Sequence, residues 1–420
     1  MGGGANFHPA FEMLGGKNPQ ELFRELPSPA YVIDEAKLRK NGELLASVIK
    51  QTGCKILLAQ KAFSNYDFYP MLSEFLSGTE ASGLFEARLG AEEMPGKEVH
   101  VFSAAYREDE FEEILKYADH IVFNSPSQLE RFGQRAKLAN KSIGLRINPE
   151  CSTQEGHEIY DPCAPGSRLG TTRKIWDKEM DEELISLLDG IHFHTLCEQN
   201  ADDLEKTLCA VEEKFGDILP RMKWLNMGGG HHITRQDYDM EHLKSLIKYA
   251  KEKWNLDVYL EPGEAVALNA GYLVSRVLDI VENDGIKIAI LDVSAACHMP
   301  DVMEMPYLPP LFGTTEKGDY AIRLGGSTCL SGDVIGNYYF EKDLQVGDLL
   351  VFGDMAIYST CKNNTFNGMP LPDIWKLTKE RVLYKLTDFS YNDFKMRLGK
   401  ARKKISYREE EIADCGCIYG

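Results

Sequence analysis

The stretch Cys54–Ser64, CKILLAQKAFS, decides the fold. Ile56, Leu57, Leu58 and Ala59 form a short apolar run, the pattern of a parallel strand buried on both faces. The run ends on a cation, Lys61. An unpaired ammonium in a buried position is costly, and loss of its proton relieves the cost. A lysine tuned in this way is a nucleophile that forms a Schiff base with an aldehyde. The alternative is a lysine just past the strand that points into water.

Outward from this stretch the chain alternates. Strand-like runs recur at 55–61, 78–83, 99–103, 120–124, 142–148, 189–195, 223–230 and 257–263. Amphipathic stretches such as 67–76, 108–117, 127–138 and 238–253 lie between them, with Ser127 a candidate N-cap and Glu130 three residues later. Eight βα units predict an α/β fold, a (β/α)8 TIM-like barrel, with an open doubly wound sheet as the alternative. From about Ala265 the runs become β-branched and aromatic with little helix, which predicts a second, mostly β domain. The expected division is a barrel over 30–265 and a β domain over 266–420, joined by residues 1–29.

The composition excludes several classes. The 420 residues are 43% hydrophobic and 27% charged, enough for a sizeable core. No apolar run approaches the ~20 residues that span a bilayer. The N-terminus, MGGGANFHPAFEML, lacks the layout of a signal peptide, so a cytoplasmic protein is expected. A formal charge of −18 disfavours nucleic acid and anionic membranes and favours a cationic small substrate. The 10 cysteines follow no zinc-ribbon spacing, and Cys415-Gly416-Cys417 is too tight for a CxxC motif.

In a barrel the working residues sit at the C-terminal ends of the strands. Lys61 ends the first strand, His194 the sixth and Glu261 the eighth, and Gly228, Gly229 and Gly230 follow the seventh. Singly, each has a plain structural reading: a core histidine, a flexible turn, a strand-end carboxylate. His192 and His194 also spell H-x-H, which on a strand would put two imidazoles on one face for a metal. Together the four features suit pyridoxal phosphate. Its aldehyde matches Lys61, its phosphate the glycine loop, its ring face His194, and its ring nitrogen Glu261.

These residues, with "HFH" (192–194), "EPG" (261–263) and "GSTCLSGD" (326–333), resemble the fold type III pyridoxal-phosphate decarboxylases. That group comprises ornithine, diaminopimelate and carboxynorspermidine decarboxylases, built as an alanine-racemase-like barrel plus a β domain. The resemblance covers about residues 28–368. "EPGE" in place of "EPGR", "HFHTLCE" in place of "HVGSG", and "LDVSAACHMPDVMEMPY" (291–307) place the chain nearest the carboxynorspermidine and carboxyspermidine branch, in bacterial polyamine biosynthesis.

The resemblance implies a role for each position. Lys61 would hold the cofactor, His194 stack on its ring, Glu261 meet the ring nitrogen, and Gly228, Gly229, Gly230 and Tyr358 contact the phosphate. Cys329 would return a proton after carbon dioxide leaves. Asp333 and Asp301 would face the distal amines of the substrate. It also implies an obligate homodimer in which Cys329 and its neighbours complete the partner's site. Two departures stand out: Glu264 replaces a phosphate-binding arginine and Cys197 a phosphate-contacting serine. Glu264 then becomes a candidate for reading a cationic substrate, or a solvent-facing marker of the branch. Competing readings are a diaminopimelate decarboxylase, a zinc-dependent barrel hydrolase using His192, His194 and His231 or His232, and a catalytically silent regulator on the same fold.

Overall fold

The computed structural model describes residues 8–11, 18–154 and 161–400. The CGC tail and the outer ends of the expected 1–29 and 266–420 segments lie outside them. Strand β1 (Ala30–Asp34) is followed by a helix, Glu35–Thr52. The Asp34 side chain accepts from the Ala36 and Lys37 N–H groups at the start of this helix, and Gly53 closes it in the left-handed conformation at φ 66°.

Eight parallel strands then close on themselves. They are β2 (Lys55–Ala59), β3 (Gly78–Ala81), β4 (Glu98–Phe102), β5 (His120–Phe123), β6 (Ser142–Arg146), β7 (Gly190–His192), β8 (Trp224–Asn226) and β9 (Asp257–Leu260). Each pairs with the next, and β2 pairs with β9 through Lys55↔Tyr259 and Ile56↔Leu260. The expected barrel is present, and the open sheet is excluded.

The strands carry few polar positions because helices cover their outer faces and side chains fill the lumen. At the N-terminal end Trp224 occupies space that Gly144 and Gly190 leave open. A Cβ on Gly190 would lie 2.0 Å from the Trp224 ring. His100 and His120 stack beside it with ring centres 3.9 Å apart.

The helix expected from Ser127 starts earlier. Ser125 is the N-cap, its side chain accepting from the Gln128 N–H, because Pro126 at N1 presets the helical φ and needs no donor. The expected helix 67–76 is a 3-10 turn (Tyr66–Phe68) and one helical turn (Tyr69–Leu72).

The second unit is a nine-stranded sheet. It contains β10 (Gly271–Asn283), β11 (Ile286–Leu291), β12 (Thr314–Thr315), β13 (Tyr320–Gly325), β14 (Val334–Phe340), β15 (Leu349–Gly353), β16 (Asp373–Leu377), β17 (Leu383–Thr387) and β1. Strand β1 lies between β10 and β16. Residues 30–34 therefore belong to the sheet and not to the barrel, which begins at β2. All five β1 residues are buried, and they find two hydrogen-bonding neighbours only in the sheet. Ala10, Phe11, Phe23 and Leu26 pack on Val32, Tyr272 and Val351, so the N-terminal segment joins the sheet.

Candidate active site

Strand β2 ends at Ala59, and Lys61 stands two residues beyond it in a turn. Its side chain is exposed in the barrel mouth, so the buried-ammonium argument does not hold for it. The strand delivers the lysine to the opening instead of enclosing it. The turn is pinned on both sides. The Gln60 N–H donates to Glu80 O (3.1 Å), and the Tyr358 N–H donates to Ala62 O (2.9 Å).

Lys61, Glu80, Arg146, His192, His194 and Glu261 line one cavity at the C-terminal ends of the strands. Glu261 accepts from Asn226 Nδ2 (2.5 Å) and His192 Nε2 (3.1 Å). Burial would raise its pKa, but its attraction to His192 and these two bonds hold it below the ordinary carboxylate range. An ionised Glu261 thus faces the cavity. Burial, with Lys61 and Arg146 nearby, pushes His194 well below the ordinary histidine range, so its ring is neutral. Its Nδ1 accepts the Gly229 N–H (3.2 Å).

The glycine loop sits tight against the β7 loop. Gly228 and Gly230 have φ of 67° and 80°, and a Cβ on Gly230 would lie 2.0 Å from Leu196 O. Not all three N–H groups are free for an anion, as the sequence alone suggests. Gly228 donates to Asn226 Oδ1 (2.9 Å) and Gly229 to His194. Among the described residues only the Gly230 N–H of the three is left without a bond inside the protein.

Tyr358, with a left-handed φ of 45°, lies in the field of Glu264, Cys197 and Asp301. Glu264 does not face open solvent. Burial, with the charges of Glu198, Asp354 and Asp301 nearby, pushes its pKa well above the ordinary range. Burial, with Glu198, Glu264 and Asp301, pushes the Cys197 thiol up to about 12, so it is uncharged.

Asp301 pairs with Lys362 at the edge of this acidic group. Asp333 does not join it. Its buried carboxylate accepts from Ala295 N (2.7 Å) and Thr328 Oγ1 (2.6 Å), which holds the 326–333 loop within the sheet unit. Cys329 is exposed on that loop, with its N–H on Asn367 Oδ1 (2.9 Å), and does not line its own chain's cavity.

The histidines of the zinc reading are not assembled. His194 lies beyond the end of β7, so it shares no strand face with His192. His192 is bonded to Glu261, and His231 Nε2 to Met227 O (3.2 Å). Among the described residues the group with metal-ligand spacing is Glu98, His100 and His120, at the opposite end of the barrel, where Lys55 already pairs with Glu98.

Three residues escape a reading of the sequence. Glu80 and Arg146 are charged residues at the C-terminal ends of β3 and β6, a signal that strand-end position alone offers. Arg146 donates to His194 O (3.1 Å) and lies 4.6 Å from the Phe102 ring. Glu198 is a non-glycine residue at φ 54°, which sequence does not show.

Pyridoxal phosphate fits these groups. An amine stands free in the cavity, an ionised carboxylate can hold a protonated ring nitrogen, a neutral imidazole lines the same space, and a glycine loop too tight for a Cβ packs against that imidazole and the carboxylate residue. The chain belongs to the pyridoxal-dependent decarboxylases: residues 30–356 match the family model "Pyridoxal-dependent decarboxylase, C-terminal sheet domain". It is therefore a decarboxylase that uses pyridoxal phosphate.

More particular relatives follow. A Campylobacter jejuni protein named carboxynorspermidine/carboxyspermidine decarboxylase is 43% identical over 90% of this chain and 100% of its own length. A Synechocystis protein named carboxyaminopropylagmatine decarboxylase is 41% identical over 91% of this chain and 98% of its own length. The crystal structure of carboxynorspermidine decarboxylase complexed with norspermidine from Campylobacter jejuni superposes with a TM-score of 0.81 at 42% identity, covering 89% of this chain and 100% of that one.

Proposed function

We propose that this enzyme removes the α-carboxylate of carboxynorspermidine and carboxyspermidine, releasing norspermidine and spermidine in bacterial polyamine biosynthesis. The observation that carries the reading is the acidic group of Glu264, Glu198 and Asp301, whose charges bear together on Cys197 while Lys61 opposes them. Crowded carboxyls repel one another, and a long polycation relieves that repulsion. The bound cofactor supplies an aldehyde that joins amines and a ring that draws in the electron pair left by the departing carboxylate. Lys61 holds it, Glu261 keeps a proton on the ring nitrogen, and the neutral His194 ring packs beside it. Gly230 and Tyr358 support the phosphate, for which no arginine is needed at 264.

Cys329 returns the proton, and it does so in the site of a second copy. Met303, Leu308, Leu330, Val334 and Phe366 are exposed around its loop. An apolar rim of this kind marks an interface. The proposal is a homodimer with shared sites, resident in the cytoplasm. No helix among the described residues is long and apolar enough to cross a membrane.

The test is carbon dioxide release from carboxynorspermidine, carboxyspermidine, carboxyaminopropylagmatine and diaminopimelate. The first two should be turned over with kcat/KM at least ~100-fold above diaminopimelate. They should differ from each other only by the ~1–3 kcal/mol that one methylene supplies. A preference for diaminopimelate overturns the reading. A preference for the agmatine derivative moves the enzyme to the substrate named for the Synechocystis relative.

A further inference from the structure

Glu80 is the least explained group in the cavity. It is 4% exposed, and its Oε2 has no hydrogen-bond partner. Strand pairing sets it beside Ala59, two residues before Lys61, and its carbonyl accepts the Gln60 N–H. A buried carboxyl with an idle oxygen costs stability unless something enters to use it.

Two carboxyls meet in this cavity under different conditions. Glu261 has His192 and Asn226 to stabilise its charge, whereas Glu80 has no such donors. The groups that act on Glu80 are Glu261 and Glu86, which disfavour its ionisation, and Lys61 and Arg146, which favour it; Tyr106 also lies close by. Burial dominates and pushes Glu80 up to about 8. One acid is thus ionised and its neighbour protonated at neutral pH, the arrangement that separates acid and base roles.

We propose that Glu80 is the proton relay for Lys61, moving protons between the lysine nitrogen and the oxygen that leaves when Lys61 bonds to an aldehyde. In that step the Nζ–carbon bond forms and the carbon–oxygen bond breaks. Both amine hydrogens depart with the oxygen as water. Glu80 gives its proton to the oxygen and regains one from Nζ, so it ends as it began. The inference rests on Lys61 being the cofactor lysine.

The test follows cofactor attachment and not turnover. Wild-type, Glu80→Gln, Glu80→Asp and Lys61→Ala proteins are stripped of cofactor and mixed with pyridoxal phosphate. Attachment is read by absorbance and by borohydride trapping on residue 61, at pH values on either side of 8. In the wild type the rate should fall above pH about 8 as Glu80 loses its proton. Glu80→Gln should attach at least ~10-fold more slowly without that limb, the low end of general acid–base effects. Glu80→Asp, which keeps the acid on a shorter arm, should recover part of the rate. Unchanged rates and pH profile in both Glu80 variants overturn the inference. If Glu80→Gln does not fold, Glu80→Asp at the wild-type rate and profile does the same. No attachment in the wild type overturns the Lys61 assignment itself, and this inference with it.

Discussion

Replacing Gly230 by alanine should damage the site through two separate effects. The residue has φ 80°, a left-handed conformation, and its added Cβ would lie 2.0 Å from Leu196 O and 2.8 Å from Cys197 N. Both contacts are backbone, so no side chain can swing away. The loop cannot drift freely either, because the Gln199 N–H donates to Gly230 O (3.0 Å). The conformational term is ~1–2 kcal/mol and the overpacking term ~1–3 kcal/mol, about 2–5 kcal/mol together. Gly96→Ala is the control, since Gly96 has φ 79° but nothing within 4 Å of the place an added Cβ would occupy. It should lose only the first term. The assay is the urea midpoint of the cofactor-free proteins, followed by titration with pyridoxal phosphate. Gly230→Ala should unfold at clearly lower urea than Gly96→Ala and bind cofactor at least ~10-fold more weakly, which is about 1.4 kcal/mol. Equal midpoints and wild-type affinity would show that the glycine loop is not held against 196–197 and does not serve the phosphate.

Other outcomes follow from the same geometry. Cys329→Ala should keep the wild-type absorption spectrum yet turn over at least ~10-fold more slowly, because it removes a proton donor and no cofactor contact; wild-type turnover would remove Cys329 from the reaction. Glu264→Gln should raise KM for carboxynorspermidine with little change in kcat, as loss of binding common to ground and transition states does; an unchanged KM would free the acidic group from substrate recognition. His120 is held down to about 3 by burial, with His100 adding to the effect, against an ordinary value of 6.5. The unfolded chain therefore binds the extra proton first, and stability should fall as pH drops from 6.5 toward 3. His120→Gln should flatten this acid limb in thermal melts recorded across that range, and an unaltered limb would assign it to other groups.

Much of this molecule is legible in its sequence, for physical reasons that differ by element. The barrel strands read as short apolar runs because both of their faces are covered, and the runs near 56–59 and 143–147 need no tertiary information. Strand β1 looks the same locally, and only its partners β10 and β16, far away in sequence, decide that it belongs to the sheet. Lys61 is legible from its strand-end position, whereas the burial that the apolar run suggests does not exist. The donors of the glycine loop are over-counted from sequence because the nearby Asn226 side chain takes one, and His194 takes another once β7 lies beside β8. Asp333 shows the converse: sequence places it in a functional-looking loop but does not reveal its bonds to a helix start and a threonine. Glu80 and Glu198 stay hidden because composition does not tell which way a charged side chain faces.

The most direct test of the central claim is the visible absorption spectrum of the purified protein before and after borohydride, followed by peptide mass mapping. A yellow band that borohydride removes, with a pyridoxyl group fixed on Lys61, is the expected result. A colourless protein that added pyridoxal phosphate cannot colour, or a label fixed on another lysine, would contradict it.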